Sequence, residues 1–382
     1  MSHSSSVATP RIGLLRAVVL LASVAMAMSA GQGRAEGIRL DALKIPAVIA
    51  TSGQPVSVGL EAIVVRPDDG QPHPLAVLNH GSPRDADDRL AMSPYRMWAQ
   101  ATAFARRGFV AVAFMRRGYG LSEGDWAESY GSCANPDYSA AGRAGAREIA
   151  AVAKFMNAQS YVSKDRWISV GVSAGAFATV ALTAEAPPGL LAAIAFAPGR
   201  GSTGPDSVCA PDRLTSAFAE YGRTSRMPLL WVSAENDHFF GPRLTAQLTS
   251  AFSNAGGHVS FVKTPPFGDD GHALFSATGI PIWSPIVDRF LASNNLVLRD
   301  RLIEIPAPDV PPPQSLNGRG RDTFKTYLES GPNKAFVVGN GSHFGWATGR
   351  RTADEAIKDA LGFCGSNASA RCTVVNVNNQ PR

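Results

Sequence analysis

Between residues 56 and 291 the chain alternates short β-branched or aliphatic runs with segments of helical spacing. Runs at 56–65, 75–78, 109–114, 167–172, 191–196, 228–232 and 258–262 read as strands. Helical spacing fills 95–105, 140–156, the segment from Ala174, 213–221, 244–252 and 282–291. A strand that hands over to a helix and then to another strand implies parallel pairing through right-handed crossovers, with helices on both faces. The expected class is therefore α/β, a mostly parallel, doubly wound sheet. The first two strands have no helix between them and are expected to form an antiparallel edge.

The flanks divide differently. Residues 1–35 carry Arg11, Arg16 and Arg34 and no acid, with an apolar run at 17–28 and small residues up to Ala35. That pattern reads as an export signal cleaved after Ala35. Twelve apolar residues fall short of the roughly 20 that a membrane-spanning helix needs. Loss of three arginines would bring the formal charge from +5 to +2, so the basic balance does not argue for a nucleic-acid partner. Residues 36–298 are read as one α/β domain. The proline-rich stretch at 299–320, with "IPAPDVPPPQSLNGRG", reads as an extended linker, because proline cannot donate to a helix or a sheet ladder. Residues 321–382 read as a small α+β module, with strands at 334–338 and 373–377 and a helix at 352–361 capped by Thr352.

Chemistry enters at "WISVGVSAGAFATVAL". Ser173 stands between Gly171 and Gly175, where a strand must turn into a helix. A nucleophile on such an elbow needs small residues two places away on each side, because strand and helix approach closely there. With 37 glycines in 382 residues the motif alone is weak, and Ser173 could simply cap the helix. Its context is stronger. "PLLWVSAENDHFFGP" places Asp237 just past a strand, and "TPPFGDDGHALF" places His272 in a loop before the last helix. The order Ser, Asp, His at the carboxyl edges of successive strands is the one a triad on this architecture requires. His272 would take the Ser173 proton, and Asp237 would orient the imidazole. Glu235 is an alternative acid; Asp269 and Asp270 are expected to shape the His272 loop. The oxyanion donors are expected at the Ala174 amide and, in "NHGSPRDADDR", at Ser82. His80 is read as a turn histidine packed under that loop, with a base or a metal ligand as the alternative. Asp85, Asp87 and Asp88 lack calcium-loop spacing.

Together "NHGSP", "RRGYGLSEG", "GVSAG", "ENDHFF" and "DGHALF" resemble the dienelactone hydrolase-like and acyl-peptidase-like branch of the α/β-hydrolase superfamily. The resemblance covers about two thirds of the chain. It implies a serine hydrolase of carboxylic esters, sometimes of amides, that acts through an acyl-enzyme without a cofactor or metal. Dienelactone hydrolases proper use a cysteine where this chain has Ser173. A peptidase or amidase is the enzymatic alternative, and a binding protein on an inactive hydrolase scaffold the non-enzymatic one.

Four cysteines in a chain bound for an oxidising compartment suggest two disulfides. The loops after the strands at 109–114 and 191–196 should emerge at the catalytic edge and carry Cys133 and Cys209, so these two are expected to pair there. Cys364 and Cys372 are expected to brace the small module. Trp126, Tyr130 and Phe240 are candidate pocket walls. In the tail, His343, Phe344 and Trp346 read as a structural aromatic cluster, with a sugar or cell-wall contact as the alternative. The partner implied is a small-molecule ester, with no nucleic acid and no membrane once the signal is removed, and the protein itself is expected to be periplasmic or secreted.

Overall fold

In the computed structural model, residues 37–51, 53–340, 343–365 and 371–382 are described. The segment read as an export signal lies outside them.

Elements run in order as β1 (Ile38–Ile49), β2 (Val56–Pro67), β3 (His73–Asn79), α1 (Trp98–Arg106), β4 (Val110–Phe114), α2 (Tyr138–Asn157), β5 (Val162–Val172), α3 (Ala174–Glu185) and β6 (Leu190–Phe196). There follow a small hairpin of β7 (Ser202–Gly204) and β8 (Ser207–Val208), then α4 (Pro211–Gly222), β9 (Leu229–Ala234), α5 (Pro242–Asn254), β10 (Val259–Thr264) and α6 (Ile280–Ser293). The main sheet has eight strands in the order β1-β2-β4-β3-β5-β6-β9-β10. From β4 to β10 every neighbouring pair is parallel. This is the α/β-hydrolase arrangement.

Period-2 alternation builds a core on each face. In β3 and β4, Leu75, Val77, Val110, Val112 and Phe114 point to one side, into the core that α2 and α3 cover. Ala76, Leu78, Ala111 and Ala113 point to the other, packed with Phe104 of α1 and Trp283 of α6. Strands buried on both faces need not alternate polar and apolar residues, hence runs such as "VAVAF".

The antiparallel edge exists, but with other partners than expected. β2 pairs with β1 on one side and with β4 on the other; β3, expected to be its partner, lies inside the sheet between β4 and β5. The twelve-residue β1, not foreseen from the sequence, supplies the outer strand. Its Pro46 is tolerated because an edge strand can leave one side of its ladder unpaired.

Beyond α6, residues 299–317 run without regular structure. They are tied down at Ile303, whose amide donates to Arg106 O (2.9 Å) and whose carbonyl accepts from Arg106 Nε (2.7 Å). Helix α7 (Gly318–Glu329) starts inside the stretch read as linker, capped by the Asn317 side chain. A four-stranded antiparallel sheet follows, built of β11 (Ala335–Val338), β12 (Phe344–Ala347), β13 (Thr373–Val377) and β14 (Gln380–Pro381), with α8 (Ala353–Gly365) between β12 and β13 in sequence. One sheet face packs Phe336 and Val338 against Phe324 and Tyr327 of α7. The other packs Ala335 and Val337 against Ala356 and Ala360 of α8. Phe344 stacks on Phe336, and Trp346 meets Tyr327 edge-on, so both aromatics belong to the module's own packing; His343 is exposed. Arg351 ties this part to the main sheet through an ion pair with Glu61 (2.7 Å) and a hydrogen bond to Met92 O. Both disulfides are formed, Cys133–Cys209 and Cys364–Cys372, with Cα separations of 5.2 and 6.2 Å.

Candidate active site

The strand-to-helix turn after β5 is as tight as the sequence implies. Ser173 has φ 56° and ψ −123°, a left-handed-side conformation that a side chain rarely adopts. It is held by its amide donating to Phe196 O (2.9 Å) and its carbonyl accepting from Phe177 N (2.9 Å). The flanking glycines are required by approach. A Cβ on Gly175 would collide with the carbonyl oxygens of Asn79 and His80, and one on Gly171 with the backbone of Gly175. Asn79, at the end of β3, fixes this crossing by donating from Nδ2 to Ser169 Oγ and Thr179 Oγ1, both at 3.0 Å.

Asp237 lies three residues past β9 and is buried. One of its oxygens, Oδ1, accepts from the amides of Phe239 (2.7 Å) and Phe240 (2.9 Å). The carboxylate also faces His272, whose Nδ1 lies 3.1 and 3.2 Å from its two oxygens. Burial alone would raise the Asp237 pKa, but the bond and charge of His272 and the two amides outweigh it and hold the group below the ordinary carboxylate range. The His272 ring stacks on Phe239 (centroids 3.9 Å apart) and meets Phe240 edge-on (5.7 Å). Asp270 shapes this loop as expected: its Oδ1 accepts from the amides of His272 (2.9 Å) and His238 (3.0 Å). Glu235 points away to Lys263 (3.3 Å), so the alternative acid is not at the imidazole.

Ser173, Ala174, Ser82, Phe239 and Phe240 line one cavity of about 180 Å³, with Trp126 and Tyr130 on its walls. No hydrogen bond joins Ser173 Oγ to His272; the hydroxyl has no partner among the described residues. The Ala174 amide belongs to the first turn of α3, which has no intrahelical acceptor. The Ser82 hydroxyl accepts from Tyr119 Oη (2.9 Å).

Gly81 lies against the serine. A Cβ placed there would lie 3.1 Å from Ser173 Cβ and 3.6 Å from Oγ. Gly81→Ala is therefore expected to press on the serine and lower the kcat of any reaction that proceeds through it by about 10- to 100-fold, with little change in the thermal unfolding curve followed by circular dichroism.

His80 packs beneath the loop with both ring nitrogens engaged. Nδ1 donates to Gly81 O (2.6 Å), and Nε2 accepts from Arg116 N (3.1 Å). Burial, then the Arg116 charge, push its pKa well below the usual histidine value, and the accepting Nε2 requires the neutral ring. This fits the turn histidine rather than a second base.

Sequence reasoning missed the charged cluster next to it. Glu128, 1% exposed, is shared by Arg116, which pairs with Oε1, and Arg200 (2.9 Å to Oε2). Arg116 and Glu128 are 12 residues apart and Arg200 lies 72 from Glu128; "RRGYGLSEG" begins at Arg116, but nothing in the sequence marks the three as a group. Burial would raise the Glu128 pKa, yet the two guanidiniums bring it down to about 2. A carboxylate depressed in the folded state stabilises above its unfolded pKa, and that contribution disappears as pH falls through the folded value. Urea unfolding of wild type and Glu128→Gln should thus differ by about 3 kcal/mol less near pH 2 than above pH 4.5.

The family described as X-Pro dipeptidyl-peptidase (S15 family) matches residues 57–204 of this chain. No curated protein matches. Among solved structures, the chain is similar to a Pyrococcus furiosus esterase (14% identity, 67% of this chain and 93% of that one, TM-score 0.46). It is also similar to a putative dienelactone hydrolase from Klebsiella pneumoniae (16%, 66% and 98%, TM-score 0.46). A third is dipeptidyl peptidase 4 from Porphyromonas gingivalis (18%, 68% and 36%, TM-score 0.45).

Proposed function

We propose that this α/β-hydrolase is a serine hydrolase that cleaves carboxylic esters through an acyl-enzyme on Ser173. The observation that carries the reading is the Asp237–His272 pair: a carboxylate buried at a sheet edge, bound to the Nδ1 side of an imidazole that stacks on Phe239, a wall of the cavity that holds Ser173. With Nδ1–H donating to Asp237, the neutral ring keeps its lone pair on Nε2.

In the proposed reaction, substrate binding brings Ser173 Oγ within reach of Nε2, a contact that often tightens only in the Michaelis complex. Oγ attacks the ester carbonyl as its proton passes to Nε2. The oxyanion is met by the amides of Ala174 and Ser82. The imidazolium, balanced by Asp237, then protonates the departing alkoxide. Water repeats the sequence on the acyl-serine, releasing the acid and restoring the free hydroxyl.

A peptidase is the second reading, favoured by the family match over residues 57–204. Against an aminopeptidase-like specificity stands the cavity wall. An N-terminal ammonium needs a carboxylate, and none is among the residues that line it. The test is a comparison of p-nitrophenyl acetate with glycyl-prolyl p-nitroanilide, using wild type and Ser173→Ala. Ser173-dependent turnover of the ester in excess of the anilide supports the esterase; the reverse preference supports the peptidase.

We place the site of action outside the cytoplasm. Two disulfides support this. No helix among the described residues is long and apolar enough to cross a membrane, and residues 1–35 carry the pattern of an export signal.

A further inference from the structure

The cavity at Ser173 has an unusual charge. Arg84, Arg89 and Arg200 line it, and no aspartate or glutamate does. Asp85, Asp87 and Asp88 of the same loop are exposed, and Asp206 pairs with His238 (3.0 Å).

Arg200 is the deepest of the three, 6% exposed. Its Nη1 donates to Glu128, but that carboxylate already serves Arg116, so one negative charge faces two positive ones. Its Nε is a buried donor with no acceptor among the described residues. Leaving such a donor unpaired is costly, and a charged donor more so. Nε is closed off from the cavity, so the nitrogen left to meet a ligand is Nη2, which makes no hydrogen bond among the described residues.

The other two arginines are held in place without a carboxylate partner among the described residues. The Arg84 guanidinium lies 3.5 Å above the Phe239 ring, whose other neighbour is His272, and donates to Ser202 Oγ (3.0 Å) and His238 O (3.3 Å). Arg89 lies 4.0 Å over Trp126 and donates to Ala86 O (3.0 Å). Arg200 lies over the same indole at 5.6 Å. Guanidiniums fixed on aromatic rings lose little freedom on binding and present planar forks that match a carboxylate.

We propose that the physiological substrate is an anionic ester, carrying a carboxylate that Arg200 receives with help from Arg84 or Arg89. This rests on the serine hydrolase reading and names the substrate class within it.

The test uses matched pairs of esters and the full-length protein. One pair puts the charge on the acyl side: mono-p-nitrophenyl adipate against p-nitrophenyl hexanoate. The other puts it on the leaving group: p-acetoxybenzoate against its methyl ester. Each kcat/KM is divided by the rate of hydroxide hydrolysis, which removes intrinsic reactivity. In at least one pair the anion is expected to be preferred by about tenfold or more. Arg200→Gln should erase most of that preference, and rising ionic strength should lower kcat/KM for the anionic ester more than for the neutral one. Because Arg200 also pairs with Glu128, its variant could misfold. Arg89→Gln, whose side chain donates only to a backbone carbonyl, gives a second reading and should reduce the same ratio. Equal rates in both pairs, or a preference for the neutral ester, overturn the proposal while Ser173-dependent turnover keeps the hydrolase reading. Turnover that survives Ser173→Ala overturns both.

Discussion

Replacing Ser173 by alanine is expected to lower kcat for p-nitrophenyl acetate by about 10,000-fold or more while the chain stays folded. The expected loss is large because the other serine hydroxyls on the cavity are engaged elsewhere, Ser82 with Tyr119 and Ser202 with Arg84 and Gly204 O. The residual rate would come from substrate binding and the oxyanion donors alone. Stability should move by less than about 0.5 kcal/mol. The hydroxyl makes no hydrogen bond among the described residues, so none is lost. Alanine also carries the same Cβ through the same positive φ, so the elbow is no more strained than before. Steady-state kinetics with thermal unfolding of the same sample reads both halves.

The second large effect is expected from Asp237→Asn. Asparagine is nearly isosteric, and its carboxamide oxygen can still accept from the amides of Phe239 and Phe240. Its NH2 then faces Nδ1 of His272, two donors meeting. The ring must turn to the tautomer with its lone pair on Nδ1, which places a hydrogen on Nε2 where the serine proton should go. The charge that balances the imidazolium is lost as well. Together these should lower kcat by about 1,000- to 10,000-fold with KM changed far less. A drop of only a few fold would mean that another carboxylate serves the imidazole, although Glu235 is turned to Lys263.

Much of the sheet was legible because buried parallel strands and amphipathic helices leave opposite periodicities, and the order of Ser173, Asp237 and His272 follows from that alternation. The elbow glycines were legible for a local reason: backbone packs against backbone at both. β1 went unread although Leu43, Ile45, Ala47 and Ile49 alternate along it, because Pro46 interrupts the run. The antiparallel pairing joins β2 to β1 and β4 rather than to β3, since strand order in a sheet is not encoded by sequence order. β12, "FGWA", is interrupted by Gly345, and further glycines stand close on either side at 341 and 349, so it reads as a loop. The Arg116–Glu128–Arg200 cluster was out of reach for another reason. Its members read singly as surface charges, and only folding brings the loops after β4 and β6 together, where Cys133 and Cys209 bridge them.

The most direct test of the central claim, that Ser173 is an activated nucleophile, is covalent labelling of the intact protein with a fluorophosphonate followed by peptide mass spectrometry. One phosphonyl adduct per chain on the peptide containing Ser173, lost in His272→Ala, is the predicted result. A chain that remains unlabelled while folded, or one modified at some other residue with Ser173 untouched, would contradict it.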